Sequence, residues 1–583
     1  MTASAPRSAT PCCARSGSIA LMAVAALSLP LSLVAQDFGG EHRQALDPGN
    51  LIVSRSVYDN RAANLTVGQP IPPNCPAASG ACVTAAYDGT YPYVFNNDVV
   101  DGSFGITSRI FLDQITPRGR WVSTLEVPNS LQGRIDGDDD QLVTSFSSKS
   151  ELALNLSTDG RYVTFMGYVA PVNAIDVSNS NTPGIVDPTN PAGDSFYRAV
   201  ARLDRWGRFT YTETTAYSGN NGRAAILNDS HGADVFYSAG NAGNGSNPQP
   251  LGVDLGAGAQ LIAPSYERER DQTPSTTPTP VGSFDVTLLG DPADKKAGKD
   301  DNFRGLTVFD NVLYYTKGSG GNGVNTVYFV DTTGTACPNG TGVPSASATL
   351  PTTPLTYDAS SVLAKGLPSN MCILSGFPTL SNKSKGANPV NFPFGIWFAN
   401  PTTLYVADEG DGSTDGVGTA FYAHAAGQTN AGLEKWTYDA ATRTWTMAYV
   451  LTNGLDLGTP YTVGGYPTGD NIGSANTSNP AGLPWSPATD GLRNLTGRVN
   501  PDGTVTIWAI TSTVSGSGDQ GADPNRLVMI TDNLSNTSAS AAASEKFVTL
   551  RTARFGEVLR GVSFTPGTGV ADNDRGHDHD RGW

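Results

Sequence analysis

The chain has 583 residues with 66 glycines, 39 prolines, 15% charged side chains and a formal charge of −16. So many chain breakers and so few charges exclude a helical bundle or coiled coil, while 38% hydrophobic and 9% aromatic residues exclude wholesale disorder. A net charge this negative repels phosphate backbones, so no nucleic-acid partner is expected.

Residues 1–35 carry Arg7 and Arg15, then a short apolar run from Ile19 to Val34 that contains Pro30, and end at the small residue Ala35. That order predicts a secretory signal peptide cleaved near Ala35, because the run is too short and too interrupted to span a bilayer. No later stretch reaches spanning length, so the mature chain is expected outside the cytoplasmic membrane, periplasmic or extracellular, and monomeric. Residues 36–49 form an N-terminal extension, 50–568 the folded domain, and 569–583 a polar tail with no apolar periodicity, expected to be disordered. His577 and His579 lie in that tail and read as solvated residues. Cys12 and Cys13 leave with the signal. The remaining four cysteines fall as two local pairs, Cys75 with Cys82 and Cys337 with Cys372, and local disulfides are the simplest connectivity in an oxidising compartment. They lack the C-x-x-C spacing and nearby histidines of a metal site.

Between residues 50 and 568 one segment recurs: an alternating aliphatic strand, a turn of Asp, Asn, Gly or Pro, and a second strand rich in aromatic and β-branched residues. It appears at 152–166 (LALNLSTDGRYVTFM), 223–237 (RAAILNDSHGADVFY), 304–316 (RGLTVFDNVLYYT), 395–407 (GIWFANPTTLYVA) and 495–510 (LTGRVNPDGTVTIWAI). Each copy predicts a β-hairpin. A second hairpin follows most copies, as at 196–212 and 433–449, and one at 110–127 precedes the first copy. Two hairpins make one four-stranded antiparallel unit, and serial repetition of such units predicts an all-β fold, a single β-propeller. A β-sandwich would also contain many short strands, but gives no reason for the same pair of hairpins to recur in order.

The termini predict how the ring closes. Residues 560–566 (RGVSFTP) copy a first arm with no second arm, and 50–57 (NLIVSRSV) read as a second arm with no first. Pairing these N- and C-terminal strands in one blade leaves no open sheet edge between first and last blades. Counting first arms gives six four-stranded blades. A seventh is the alternative, within 260–289, which ends in the alternating strand VGSFDVTLL.

The combination of RGLTVF and RGVSFTP first arms with LYVADEG, GLEKW and LRNLTG resembles a large group of secreted bacterial β-propeller proteins of NHL-like appearance. The resemblance covers nearly all of residues 50–566. It implies the fold and secretion, and assigns no residue a role.

Turns within hairpins are short, whereas the connections 58–107, 170–195, 408–432 and 514–525 are long and should share one face, at the mouth of the central channel. Two residue sets belong there. Arg223, Arg304, Arg493 and Arg560 recur just before first arms, and a ring of guanidiniums suits a small anionic ligand, a peptide or protein terminus, or an acidic sugar. The plainer expectation is that each arginine pairs with an acidic loop residue and fixes its blade, since carboxylates are plentiful. The second set is acidic: Asp408, Glu409, Asp411 and Asp415, then Asp519 and Asp523, and Asp136 with Asp138, Asp139 and Asp140. Such Asp/Gly-rich loops can supply oxygen ligands to Ca²⁺, although none completes a full calcium-loop pattern and solvated loops account for any one cluster.

Familiar catalytic signatures are missing: there is no G-x-S-x-G, no H-E-x-x-H and no complete P-loop. GSGGNG at 318–323 precedes a strand rather than a helix, so no nucleotide cofactor is expected. His231 falls in a hairpin turn, and His424 in a long loop. The leading expectation is therefore a binding or interaction module, with calcium as a stabiliser, using the long-loop face. The alternative is an extracellular hydrolase or lyase acting there on an anionic substrate, an acidic sugar or ester, with Asp408 or Glu409 as acid or base.

Overall fold

Six antiparallel sheets, each of at least four strands, account for the recurring hairpins one by one in the computed structural model. It describes residues 45–71, 83–85, 88–94, 105–132, 141–184, 194–241, 259–268, 281–284, 302–318, 324–337, 340–353, 371–380, 391–414, 420–471, 482–517 and 521–569. The segment expected to be a signal peptide, Cys75 and Cys82, the 136–140 cluster, Asp415, Asp519 and the residues beyond Gly569 lie outside the described residues.

Taken in ring order from the innermost strand outward, blade 1 is Glu557–Phe564, Leu51–Val57, Thr107–Ile115 and Trp121–Glu126. Blade 2 is Asn155–Leu156, Tyr162–Tyr168, Arg198–Asp204 and Phe209–Thr214, with Glu267–Arg268 added at its rim. Blade 3 is Gly222–Asn228, Val235–Gly240, Ala259–Ile262 and Val281–Phe284. Blade 4 is Phe303–Phe309, Val312–Lys317, Thr326–Val330 and Met371–Leu374, with Thr341–Gly342 alongside in parallel. Blade 5 is Pro393–Asn400, Thr403–Asp408, Gly432–Asp439 and Thr444–Leu451, and blade 6 is Ala488–Val499, Thr504–Val514, Arg526–Asn533 and Val548–Thr552. The fold is thus a six-bladed β-propeller. The stretch read as a possible seventh blade instead supplies the two outer strands of blade 3, where Ala259–Ile262 pairs with both Val235–Gly240 and Val281–Phe284.

Ring closure follows the predicted pairing. Leu51 lies opposite Phe564, Ile52 opposite Ser563 and Val53 opposite Val562. The last strand is buried along nearly its whole length because the second strand of its own blade and the inner strands of blades 2 and 6 cover it. Local sequence sets the hairpins: Asp310 and Asn311 both take positive φ, which closes the two-residue turn between Phe309 and Val312 with the twist that antiparallel strands require.

Successive inner strands touch around the channel, so each must let the next approach its backbone. At Gly305 an added Cβ would overlap the carbonyl oxygen of Phe394 in the next blade, and at Gly561 it would collide with Leu152 O. Absence of a side chain at this level lets the blades close into so tight a ring. Long connections pack over one end of it. Tyr58, Tyr91, Phe146, Tyr466 and Trp485 form a buried aromatic cluster joining connections from different blades. Within the long connection 408–432 a short helix, Ala420–Gly427, seats Phe421, Tyr422 and Ala425 against Leu483, Ala488 and Val514. At the outer edge of blade 4, Cys337 and Cys372 form a disulfide, the predicted local pairing. Among the described residues no helix is long and apolar enough to cross a membrane.

Candidate functional site at the channel mouth

One repeat position falls within or just ahead of each inner strand, and Gly305, Gly395 and Gly561 follow it where the next backbone approaches most closely. Around the ring that place holds Arg560, Leu152, Arg223, Arg304, Phe394 and Arg493 in blades 1 to 6. The four arginines singled out in the sequence do gather at one level, and each is at most 4% exposed. Blades 2 and 5, which face each other across the ring, have apolar residues instead. They contribute titratable groups from adjoining segments: Lys149 and Glu151 ahead of the inner strand of blade 2, and Asp408 and Glu409 at the end of the second strand of blade 5.

Lys149 and Glu409 meet across the channel, with Nζ 3.2 Å from Oε1. The other oxygen of Glu409, Oε2, lies 3.3 Å from Nε of Arg493 in blade 6. The Arg304 guanidinium of blade 4 adds to the positive field at the same carboxylate. Groups from blades 2, 4 and 6 can all act on one carboxylate only if it stands near the channel axis. Burial opposes the ionised form of Glu409, but Lys149, Arg304 and Arg493 overcome it and hold the carboxyl below its usual range. Lys149 responds in the opposite sense. Burial, with Arg304 and Arg493 nearby, pushes its ammonium down to about 8 despite the attraction of Glu409.

The four arginines are not equivalent. Arg560 donates from Nε to Ser56 Oγ at 3.1 Å and from its terminal nitrogens to the carbonyls of Ser148 and Phe146. Arg223 donates to Phe303 O at 2.8 Å and to the Asn302 side chain. These hydrogen bonds staple one blade to the next. Arg304 and Arg493 face Glu409. The expectation that each arginine pairs with an acidic residue holds for Arg493, bridged to Glu409.

Glu151 is the second carboxylate at this level. It accepts from Thr144 Oγ1 at 2.6 Å and Ser145 N at 2.9 Å, and from the Tyr168 hydroxyl, while burial raises its proton affinity. Lys149, Arg223, Arg304, Arg493 and Arg560 thus share this level with the carboxyl groups of Glu151 and Glu409, and Asp408 and Asp490 add to the field at Glu409. Beside them, Ser150 Oγ, Asn221 Oδ1 and Arg223 Nε are buried without a hydrogen-bond partner from the protein. Buried polar atoms are ordinarily satisfied, so this grouping has room in its hydrogen bonding for something further.

The acidic loop that follows does different work. Asp408 accepts from Phe392 N at 2.7 Å and Gly410 N at 2.9 Å, and burial raises it to about 7. Asp490, which the sequence reading did not select, accepts from Gly412 N at 2.8 Å and Gln428 Nε2 at 2.6 Å and is likewise raised to about 7 by burial. Asp411 meets His424, with Oδ2 2.6 Å from Nε2, on an exposed flank of the helix Ala420–Gly427. Asp523 takes Tyr466 OH at 2.6 Å and Ser515 Oγ at 2.9 Å. Among the described residues, the one grouping of three His, Cys, Asp or Glu side chains at ligating distance is Asp331 with the two disulfide cysteines. Asp408, Glu409 and Asp411 are thus taken up singly by backbone amides, by cations and by His424. His231 sits in the short turn Ser230–Gly232 of the blade 3 hairpin, away from the mouth.

Sequence reasoning missed Lys149 and Glu151. Their signal was the absence of arginine from the repeat position of blades 2 and 5, which leaves those blades to supply charge from neighbouring segments.

No protein-family model matches the chain, and no curated protein matches it. Among solved structures, a Bacteroides uniformis protein described as a 6-phosphogluconolactonase aligns over 76% of this chain and 78% of its own at 10% identity, with a TM-score of 0.29. The NanB sialidase of Streptococcus pneumoniae aligns over 74% of this chain and 64% of its own at 7% identity, TM-score 0.32. An ulvan lyase of polysaccharide lyase family 25 aligns over 89% and 97% at 11% identity, TM-score 0.30. Likeness at this level gives no residue a role.

Proposed function

We propose that the protein is a secreted binding module whose channel mouth takes the carboxylate of a small anionic ligand, such as an acidic sugar or a peptide C-terminus. One observation carries the reading: the chain's own Glu409 carboxylate lies among Lys149, Arg304 and Arg493, a setting that receives a carboxylate. Planar guanidiniums suit carboxylates, and a desolvated setting strengthens each charged hydrogen bond. The Cys337–Cys372 disulfide agrees with an oxidising compartment.

The test is calorimetric titration of the mature chain with galacturonate, glucuronate and short peptides bearing free or amidated C-termini, at low and high salt. Binding should require the carboxylate, weaken as salt rises, and fall at least tenfold in Arg304→Gln. Equal binding of free and amidated peptides, or binding indifferent to Arg304→Gln, overturns the reading. A hydrolase or lyase on the same face is the second reading, favoured by Asp408 and Asp490, both held at about 7, where a carboxyl can serve as acid or base near neutrality. Turnover of an acidic polysaccharide or sugar ester that is lost in Asp408→Asn would support it.

A further inference from the structure

We propose that Cys337, Cys372 and Asp331, at the outer edge of blade 4, bind a soft divalent cation of the zinc class once their disulfide is reduced. The cation then replaces the disulfide as the clamp on this rim. The inference is independent of what the channel mouth takes.

Cysteine spacing alone gave no metal motif, because the third ligand is a carboxylate from the neighbouring strand. Asp331 directly follows the strand Thr326–Val330, and Cys372 lies on the adjacent strand Met371–Leu374, opposite Phe329. One oxygen of Asp331 and the two sulfurs all lie within 4.8 Å of one another. Two thiolates and a carboxylate form a donor set that zinc and its softer relatives accept, with a fourth position left for water. Thiolates on a tetrahedral zinc stand about 3.8 Å apart, given zinc–sulfur bonds of about 2.3 Å, so opening the disulfide requires the sulfurs to turn apart without moving the strands. Hydrogen bonds hold the ligand-bearing backbone in place without the disulfide. Oδ1 of Asp331 accepts from Thr333 N at 2.9 Å and Thr333 Oγ1 at 2.6 Å, and Oδ2 accepts from the N–H of Ala336, the neighbour of Cys337, at 2.8 Å. Gly340 N donates to Cys337 O at 3.0 Å, and Ile373 N, next to Cys372, donates to Gly340 O at 3.0 Å. A carboxylate oxygen offers two lone pairs, so Oδ2 can hold Ala336 and a cation together. An aspartate serving only the turn at 331–336 gives no reason for its carboxylate to stand against both sulfurs.

Cys372 is fully buried and Cys337 partly exposed, so a dithiol reductant reaches the Cys337 sulfur first. Its thiolate attacks that sulfur and Cys372 leaves as a thiolate. The reductant's second thiolate then attacks the mixed disulfide and releases Cys337. Two electrons pass to the cysteines, and the reductant becomes its own disulfide. The cation displaces the protons of the two thiols into solvent and binds both sulfurs and the ionised Asp331.

The test uses the chain from Gln36 onward with Cys75→Ser and Cys82→Ser, which leaves Cys337 and Cys372 as its only cysteines. It is reduced with dithiothreitol, freed of reductant under argon and titrated with cadmium while the thiolate-to-cadmium charge-transfer absorption is followed. Zinc is then added in a thermal scan. The expected result is one cadmium ion per reduced chain, no such absorption in the oxidised chain, and a melting temperature that zinc raises in the reduced chain alone. Cys337→Ser should abolish the absorption. Asp331→Asn keeps an acceptor for Thr333 and should weaken cadmium binding at least tenfold. No absorption after reduction, or equal affinity in Asp331→Asn, overturns the site. Binding with no rise in melting temperature overturns the clamp. If Asp331→Asn does not fold, anomalous diffraction from crystals of the reduced chain with cadmium decides the question, and an ion held by the sulfurs without Asp331 overturns the site equally.

Discussion

Glu409 illustrates how a single side chain can hold opposite walls of a channel together. It is the counter-ion to cations from three blades, and removing its charge strands them in a buried setting. Breaking a buried pair by removing one partner typically costs about 3–5 kcal/mol, because the remaining charge goes uncompensated. Glu409→Gln should therefore lower the midpoint of chemical denaturation, and added acetate should restore part of the loss by occupying the vacated position. An unchanged midpoint would mean that the cross-channel pair adds nothing. Asp408 and Asp490 act in the opposite sense. Burial raises both from an ordinary 3.8 to about 7, so the folded state binds protons more tightly than the unfolded chain. Their contribution to stability is fully present below the ordinary carboxylate range and is lost as pH rises through about 7. Thermal scans between roughly pH 5 and 7.5 should show a falling melting temperature, and Asp490→Asn should flatten the slope. Glu409, held below its usual range, contributes at higher pH and loses its effect only as pH falls, so the two trends separate on the pH axis.

At the scale of elements, the inner strands are constrained more by neighbouring backbones than by their own side chains. A methyl group at Gly305 must displace the Phe394 carbonyl, and with it the inner strand of blade 5. Overpacking of this kind costs about 1–3 kcal/mol, more where backbone cannot yield, so Gly305→Ala should reach at least the upper figure in urea denaturation. Alanine at Gly503 in the blade 6 turn has open space around it and pays only for a positive φ, so it should cost less. The hairpins were legible because alternation and turn residues act over a few positions, as with Asp310 and Asn311. The helix Ala420–Gly427 was not. Its eight residues carry no amphipathic stripe long enough to read, and it holds its place by seating Phe421 and Tyr422 against blade 6.

For the molecule as a whole, closure and cross-linking do different work. The last strand, between Leu51–Val57 and the inner strands of blades 2 and 6, locks the ring. Val562 is fully buried there among Trp508, Ile510 and Leu527 of blade 6, and Val562→Asp should open the seam between blades 6 and 1 to protease before the rest of the ring unfolds. The disulfide spans a sequence separation of 35 and constrains only the rim of blade 4. Loop-closure entropy for that span gives about 4 kcal/mol, so reduction should lower the melting temperature while leaving the inner ring protected in hydrogen exchange.

The sequence by itself determined the propeller, the ring closure and the pairing of Cys337 with Cys372, because alternation, turn chemistry and chain proximity are local properties. It also picked out the four arginines, since they share one repeat position. Only the tertiary structure decided that there are six blades, that Arg223 and Arg560 staple backbone while Arg304 and Arg493 face a carboxylate, and that Lys149 meets Glu409. Those two residues lie 260 positions apart on opposite blades. Their meeting depends on the diameter of a closed ring, and no periodicity along the chain encodes a distance across a circle.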